Sequence, residues 1–346
     1  MIGVIIVTYK SAPVIVGCLD SLLASEGADL RIVICDNASP DDSVATVRAW
    51  AETNGVSIHE TADPDTQGPD TMVTLIHAPV NGGFAAGINH GLRYALEDPR
   101  CDLFWLLNPD CEVAPGTAAA LARRAEATGP FALMGCRILY REAPCLIQSD
   151  GGRIRRWSGI CENINRGADP AHVAPPPTES LDYISGASVV ASRRFVDAVG
   201  PMPEDYFLYY EEVDWAARRG DLPLVMCDDA VVHHHGGTAI GSGAVNRRAS
   251  PLSLYFTYRN RLRYLRRHRP LILPMAYVAA LARIAKLPAQ GAWGEAKAAF
   301  LGLHQMPPPR SVRDTVSPEA RPYAFGSAKA NPGRTGTDRA DDMLSH

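Results

Sequence analysis

Residues 104–113 read FWLLNPDCEV, an apolar run that stops at Asn108, Pro109 and Asp110. Asn-Pro-Asp is ordinary turn chemistry, and every strand must end somewhere. The same residues also place an acid at the carboxyl end of a strand apolar enough to be buried, which is where open α/β sheets bind ligands. The neighbouring stretches give the context. IGVIIVTY (2–9), RIVICDN (31–37) and VTLIHAP (73–79) are similar apolar, β-branched runs, and helix-period stretches over 12–24, 41–53 and 84–96 separate them. Continuous apolar strands alternating with helices predict an α/β fold with a mostly parallel central sheet and helices on both faces.

The pattern continues with a helix over 115–128 and a strand FALMGCRIL (131–139), then changes. Residues 145–192 read as shorter strands and loops, with HVAPPPTES (172–180) as a surface connection. YFLYYEEVDWAARR (206–219) reads as a helix, and PLVMCDDAVVHHHGG (223–237) as a strand running into a loop. Residues 251–303 are helical in pattern. From 305 the Pro, Gly and polar content predicts a disordered tail.

Composition bounds the function. The 346 residues are 46% apolar and carry a formal net charge of −4, with a pI near 6.2. Such a chain can bury a large core, and it has no overall basic field for nucleic acid. The eight cysteines include no C-x-x-C pair, and several sit in apolar runs, as expected of buried thiols in a reducing compartment. The N-terminus has no basic region ahead of its first apolar run, so a cytoplasmic location is expected.

A nucleotide site suits such a sheet, yet the first strand leads into TYKSAP rather than G-x-G-x-x-G, and no Walker A lysine motif occurs. Dinucleotide-dependent oxidoreductases and P-loop enzymes are thereby disfavoured. A nucleotidyltransferase would show a glycine-rich basic loop at the same place. What stands at the strand ends instead is Thr8, then Asp36 with Asn37, then Asn81 with Gly82 and Gly83, then Asn108 with Asp110. Any one of these is ordinary cap chemistry. All four on one edge point to a site.

VIIVTYK, VICDNAS, NGGFAAGINHGL, LLNPDCEV, SGASVVASRRFVDAVG, FLYYEEVDWAARR and YRNRLRYL occur in that order. This series resembles the family 2 inverting glycosyltransferases with a GT-A fold, most closely their rhamnosyltransferase-like branch, over residues 1 to about 304. The resemblance implies a GT-A domain over 1–240, with a nucleotide-sugar half (1–112) and an acceptor half (130–240). A helical region (251–304) and a disordered tail (305–346) follow. It implies a nucleoside-diphosphate sugar donor, with dTDP-L-rhamnose favoured, a divalent cation (Mg²⁺ or Mn²⁺), and a glycan or lipid-linked acceptor in polysaccharide synthesis.

Carried over by position, the resemblance puts Thr8 and Tyr9 beside the nucleoside and gives Asp36, next to Asn37, the imide N–H of a pyrimidine. Asn81, Gly82, Gly83 and Phe84 correspond to a loop near the diphosphate, and Asn89 continues that motif into the following helix. NPD stands where many relatives have Asp-x-Asp, so Asp110 is the metal carboxylate and Asn108 a supporting or ribose contact. A histidine late in VVHHHGG completes the metal site in relatives; alignment favours His233, then His235. In YYEEVDW the second acid, Glu212, matches the general base, one methylene longer than the usual Asp. Glu211 and Asp214 would orient the acceptor or the loop. Ser185, Gly186 and Ala187 match the segment beneath the acceptor. Acids in a first helical turn are favoured by the helix dipole in any case. A non-catalytic sugar-nucleotide binder is the alternative of another class.

YRNRLRYLRRHRP (258–270) packs six arginines, and LILPMAYVAALARIAKL (271–287) follows. Seventeen residues carrying Arg283 and Lys286 are short and charged for a span. A basic helix followed by an apolar one suits peripheral contact with an anionic membrane on the inner face, while an ordinary bundle packed on the domain is the alternative.

Overall fold

The computed structural model describes residues 1–66, 68–235 and 248–326. Its first half is β1 (Ile2–Thr8), α1 (Ile15–Leu23), β2 (Leu30–Asp36), α2 (Ser43–Asn54), β3 (Ile58–Thr61), β4 (Val73–His77), α3 (Phe84–Leu96), β5 (Leu103–Leu107), β6 (Cys111–Val113) and α4 (Thr117–Thr128). The second half is β7 (Leu133–Tyr140), β8 (Ile147–Ser149), β9 (Gly152–Ile154), β10 (Cys161–Asn163), β11 (Ser188–Ser192), α5 (Arg193–Val199), α6 (Glu211–Ala217) and β12 (Leu224–His234). Helices α7 (Pro251–His268), α8 (Leu273–Ile284), α9 (Trp293–Leu303), α10 (Arg310–Arg313) and α11 (Arg321–Phe325) complete it.

The main sheet runs β3-β4-β2-β1-β5-β11-β7-β12-β6, with β8 added on β7. From β3 to β5 all neighbours are parallel. β11 is antiparallel to both β5 and β7, and β6 is antiparallel to β12. Alternation along each strand feeds two cores. Ile5, Val7, Val33, Phe104 and Leu106 pack towards α3, α5 and α6, while Val4, Ile6, Ile34, Trp105 and Leu107 pack towards α1, α2 and α4. Each such large side chain contributes about 1.5–3 kcal/mol by leaving water. Trp105 also ties β5 to β11 by donating from Nε1 to Ser188 Oγ at 2.9 Å. α3 lies close on β1 because Gly87 and Gly91 have no side chain: a Cβ at Gly91 would sit 2.6 Å from Ile5 Cγ2.

The sheet order has a geometric consequence. Only Asn108, Pro109 and Asp110 separate β5 from β6 in the chain, yet β11, β7 and β12 lie between them in the sheet. Three residues span little more than 10 Å. This part of the sheet must therefore curl until its last strand returns to the end of β5.

Three sequence expectations are corrected. The helix expected over 206–219 is confined to Glu211–Ala217, because Phe207, Tyr209 and Tyr210 adopt φ of 64°, 67° and 76°. The tail expected to be disordered from 305 instead forms α10 and α11. Val312, Val316, Ala320 and Ala324 there bury against Phe207, Leu208, Tyr255 and Phe256; residues 327–346 lie outside the described residues. The arginines of α7 mostly do not form a basic outer face. Arg259 donates to Ala324 O, Arg261 is buried over the Tyr258 ring, Arg263 and Arg267 pair with Asp205, and Arg269 meets Asp182.

Candidate active site

The curl brings the ends of β5, β6 and β12 to one place. Asn108 N donates to Ala187 O at 3.0 Å and His235 N to Asp110 O at 3.1 Å, which fixes the Asn-Pro-Asp turn from both sides. Antiparallel pairing sets His234 opposite Cys111. The result is a buried pair, with Asp110 Oδ1 3.0 Å from His234 Nε2. Asn108 Nδ2 lies 3.4 Å from the same ring nitrogen, and Gln148 Oε1 is 2.6 Å from His234 Nδ1.

These contacts fit a divalent cation. With Nδ1–H donated to Gln148, His234 turns the lone pair of Nε2 towards the Asp110 carboxylate, so a proton or a cation must lie between two acceptors. Cys111 Sγ is also within reach, but it faces the core and donates to Ala187 O at 3.3 Å. Burial, with the charge of Asp110 adding to it, pushes that thiol well above its usual range. A protonated soft thiol is a poor ligand for a hard cation, which leaves one carboxylate and one imidazole.

His234 is not the histidine expected from sequence. His233 pairs opposite Glu112 and faces away, and the His235 side chain lies against Glu142 at 2.8 Å. Cys227 pairs with Cys136 and Val231 with Arg137, so residues 228–230 form a bulge on β12. Three extra residues reverse the facing of everything beyond them. Nothing in VVHHHGG itself marks that reversal.

Asp110 and His234 line a cavity of about 1000 Å³ together with Tyr9, Asn37, Asn81, Gly83, Phe84 and Asn108 from the first half of the sheet. Ser185, Gly186, Ala187, Glu211 and Glu212 form its other side. Of the remaining expected donor residues, Thr8, Asp36 and Gly82 sit behind this lining. Asp36 is buried and accepts from Thr8 Oγ1 at 2.9 Å and Ser39 N at 3.0 Å, which holds its carboxylate at the end of β2. Asn37 Nδ2 donates to Asn81 Oδ1 at 3.1 Å and Gly83 O at 2.9 Å, closing the 81–83 loop.

Gly83, at φ 97°, permits a tight contact: a Cβ there would lie 2.4 Å from Phe207 O, the carbonyl that accepts from Phe84 N at 2.9 Å. The loop from the first half is thereby fastened to the loop that precedes α6. That second loop is held in its left-handed conformations by Asn260 on α7, whose Nδ2 donates to Tyr206 O at 2.9 Å, Leu208 O at 2.8 Å and Tyr209 O at 3.1 Å. Asn260 lies in YRNRLRYL, and nothing in that run marks this role.

Two expected site residues are elsewhere. Asn89 is buried, exchanging hydrogen bonds with Met202 and donating to Glu204, so it joins α3 to the chain before α6. Asp214 accepts from Tyr206 Oη at 2.6 Å and pairs with Arg267, Arg218 and His268, on the side of α6 away from the cavity. One helical turn separates roles in this way: Glu211 and Glu212 face the cavity and Asp214 the scaffold.

The two cavity acids differ in setting. Glu211 is buried, and burial followed by the charge of Glu212 pushes its carboxyl well above the usual range. Glu212 is pushed up to about 7 by burial, against the pull of backbone N–H groups of Glu212, Val213 and Tyr210. A Cβ on Gly186 would lie 3.7 Å from Glu212 Cδ, so the glycine leaves open the space before that carboxyl. A group poised near neutral pH beside an open space suits proton transfer.

Further lining comes from residues that no sequence signal marked. Lys10 and Ser11 follow β1; Tyr140, Gln148, Asn163, Arg166 and Tyr183 come from the 140–183 region; Ser311, Asp314, Thr315 and Val316 come from the C-terminal segment.

Comparison with known proteins agrees with this architecture. Residues 3–148 match the Glycosyl transferase family 2 profile. The low-salt glycan biosynthesis hexosyltransferase Agl10 of Haloferax volcanii is 24% identical over 264 residues, 75% of this chain and 74% of that protein. The mannosyltransferase PcManGT from Pyrobaculum calidifontis, solved with GDP-Man and Mn²⁺, superposes with a TM-score of 0.51 at 18% identity, over 95% of this chain and 84% of that one. GalNAc-T7, solved with UDP, GalNAc and Mn²⁺, gives 0.58 at 13% identity over 88% of this chain and 56% of its own. The fold is GT-A-like.

Proposed function

We propose that this protein is a metal-dependent inverting glycosyltransferase. It would move a sugar from a nucleoside-diphosphate sugar to a hydroxyl of a glycan or lipid-linked acceptor in cell-surface polysaccharide synthesis. One arrangement carries the reading: Glu212 on α6 and the Asp110–His234 pair, at the ends of β5 and β12, line the same cavity.

In this reading the nucleoside lies by Tyr9 and Asn37, with Asp36 accepting from a pyrimidine imide N–H. The 81–84 loop lies near the diphosphate, where Gly82 and Gly83 carry no side chain to hold it off. Asp110 and His234 would hold Mg²⁺ or Mn²⁺, which neutralises the charge that the leaving diphosphate gains. The acceptor hydroxyl lies between Gly186 and Glu212. Glu212 takes its proton as the oxygen attacks the anomeric carbon from the face opposite the departing diphosphate, which inverts the anomer. Glu211, neutral beside it, would keep Glu212 the more acidic of the two and donate a hydrogen bond to the acceptor or to the loop. The eight free thiols, most of them buried, suit a reducing cytoplasm.

The donor we favour is dTDP-L-rhamnose, on the sequence resemblance; the Pyrobaculum mannosyltransferase binds a purine donor. A donor panel tests this directly. dTDP-rhamnose, UDP-glucose, UDP-galactofuranose, UDP-N-acetylglucosamine and GDP-mannose would be scored by hydrolysis and thermal shift with Mg²⁺ or Mn²⁺. Preference for GDP-mannose would remove the pyrimidine role of Asp36. A retained anomer in the product, read by NMR, would remove the inverting mechanism.

A further inference from the structure

The apolar segment after α7 is built in an unusual way. Ala276, Ala280 and Ile284 on one face of α8 are buried against the neighbouring helices. The opposite face presents Leu271, 95% exposed, Met275, 53%, and Val278, 65%, and continues through exposed Ala282 and Ala285 at helical spacing. Large apolar side chains this exposed, aligned on one stripe, mark a contact surface. Arg283 and Lys286 are exposed on the same helix and its continuation, and Arg266, at the end of α7, is exposed too. Residues 230–294 contain no Asp or Glu.

We propose that this outer face of α8 seats the protein on an anionic phospholipid bilayer, with the apolar stripe in the headgroup–acyl boundary and Arg266, Arg283 and Lys286 meeting lipid phosphates. The charge pattern selects this occupant. A second copy of the same face, related by a two-fold axis, would bring cation against cation with no acid on the segment to receive them. An anionic lipid surface complements both the stripe and its cations. Pro270–Gln290 has the length and composition of a span, but the buried side of α8 commits it to the protein, so it lies on the bilayer rather than crossing it. This surface differs from the one expected from sequence, because the arginines of α7 other than Arg266 are buried or paired with acids of the protein.

The inference does not rest on the transfer reaction, since vesicle binding needs no turnover. Full-length protein is mixed with vesicles of phosphatidylcholine alone or of phosphatidylcholine with phosphatidylglycerol, then floated on a density gradient. Binding is expected only with phosphatidylglycerol and should weaken with added salt. Met275→Asp with Val278→Asp should weaken it at least about tenfold, from the loss of two inserted apolar side chains. Arg283→Glu with Lys286→Glu should weaken it by about fivefold or more per charge. Leu271→Asp is a further variant at the most exposed site and should weaken binding likewise, and an unchanged circular dichroism spectrum and thermal melt of each variant report that the fold is intact. Equal binding by wild type and variants, or no binding of wild type to anionic vesicles, would overturn the proposal. So would a change of oligomeric state in Met275→Asp/Val278→Asp, read by light scattering, with vesicle binding unaffected; the face would then be a self-association interface.

Discussion

Replacing Asn260 with Ala removes one buried amide that serves three carbonyls, Tyr206 O, Leu208 O and Tyr209 O, at 2.8–3.1 Å. Two N–H groups are lost and the carbonyls stay buried, so the cost is about 2–5 kcal/mol. The loop they belong to holds Phe207, Tyr209 and Tyr210 at positive φ, each at about 1–2 kcal/mol. The strain is therefore comparable with what the amide supplies, and without Asn260 the loop is expected to relax rather than stay in place. Glu212 follows directly after that loop. A displacement of the order of 1 Å costs a catalytic group about a hundredfold. Single-turnover transfer at saturating donor should fall by about that factor. Donor affinity should fall less than transfer, because Tyr9 and Asn37 sit on other elements and only the fastening of the 81–84 loop at Phe207 is shared. Thermal unfolding should move down by about 3–7 °C. Asn260→Asp should be worse than Ala, since a carboxylate would face the same carbonyls. Normal transfer in Asn260→Ala despite a lowered Tm would refute the positioning argument and leave Asn260 a stability residue only.

Other outcomes follow from the same geometry. Asp110→Ala should lower turnover by at least about two orders of magnitude, the scale of losing one electrostatic stabiliser of developing charge. His234→Ala should raise the metal concentration needed for activity and His233→Ala should not; metal titration of each decides, and the reverse order would place the site on the other face of β12. Glu212→Gln should retain donor binding by calorimetry while transfer drops roughly 10²- to 10⁴-fold; normal transfer would move the base elsewhere. Because Glu212 must be ionised to accept a proton and burial raises it to about 7, kcat/KM should climb as pH rises through about 7 and then level. Glu211 binds its proton more tightly folded than unfolded, so its contribution to stability falls as pH rises above the ordinary glutamate range. Glu211→Gln should therefore raise Tm at pH 8 and less so at pH 5; an unchanged or opposite pH trend would mean that Glu211 is ionised in the folded protein.

The sheet was legible because its signal is local. Runs such as IGVIIVTY and RIVICDN carry their own burial pattern, and α3 was placed at 84–96, where it occurs. The edge strand β3 was missed because IHET has neither length nor an apolar run. The residues gathered in the cavity from β1, β2, the 81–84 loop and β5 follow from strand ends sharing one edge. The histidine was not legible, since its facing depends on a bulge several residues upstream. Asn89 and Asp214 misled for a related reason: a polar residue in a motif can serve either the cavity or the scaffold, and only the packing of α3 and α6 decides. The C-terminal wall was hidden by composition, because Pro-rich sequence with few large apolar residues can still pack when its small residues, such as Ala320 and Ala324, meet aromatic partners.

The curled sheet bears on how the chain is made. β6 ends at Val113 and its sheet partner, β12, begins at Leu224; β5 waits for β11, which begins at Ser188. On a ribosome adding about 5–20 residues per second, β6 has no partner for roughly 5–25 s after it is synthesised. Until Ser188–Ser192 is made, the nascent chain presents the open backbone edge of β5, flanked by Phe104 and Trp105, a template for pairing with other chains. Synthesis is thus the period of greatest aggregation risk for this protein, and slowing translation between residues 113 and 188 should lower its soluble yield unless a chaperone covers that edge.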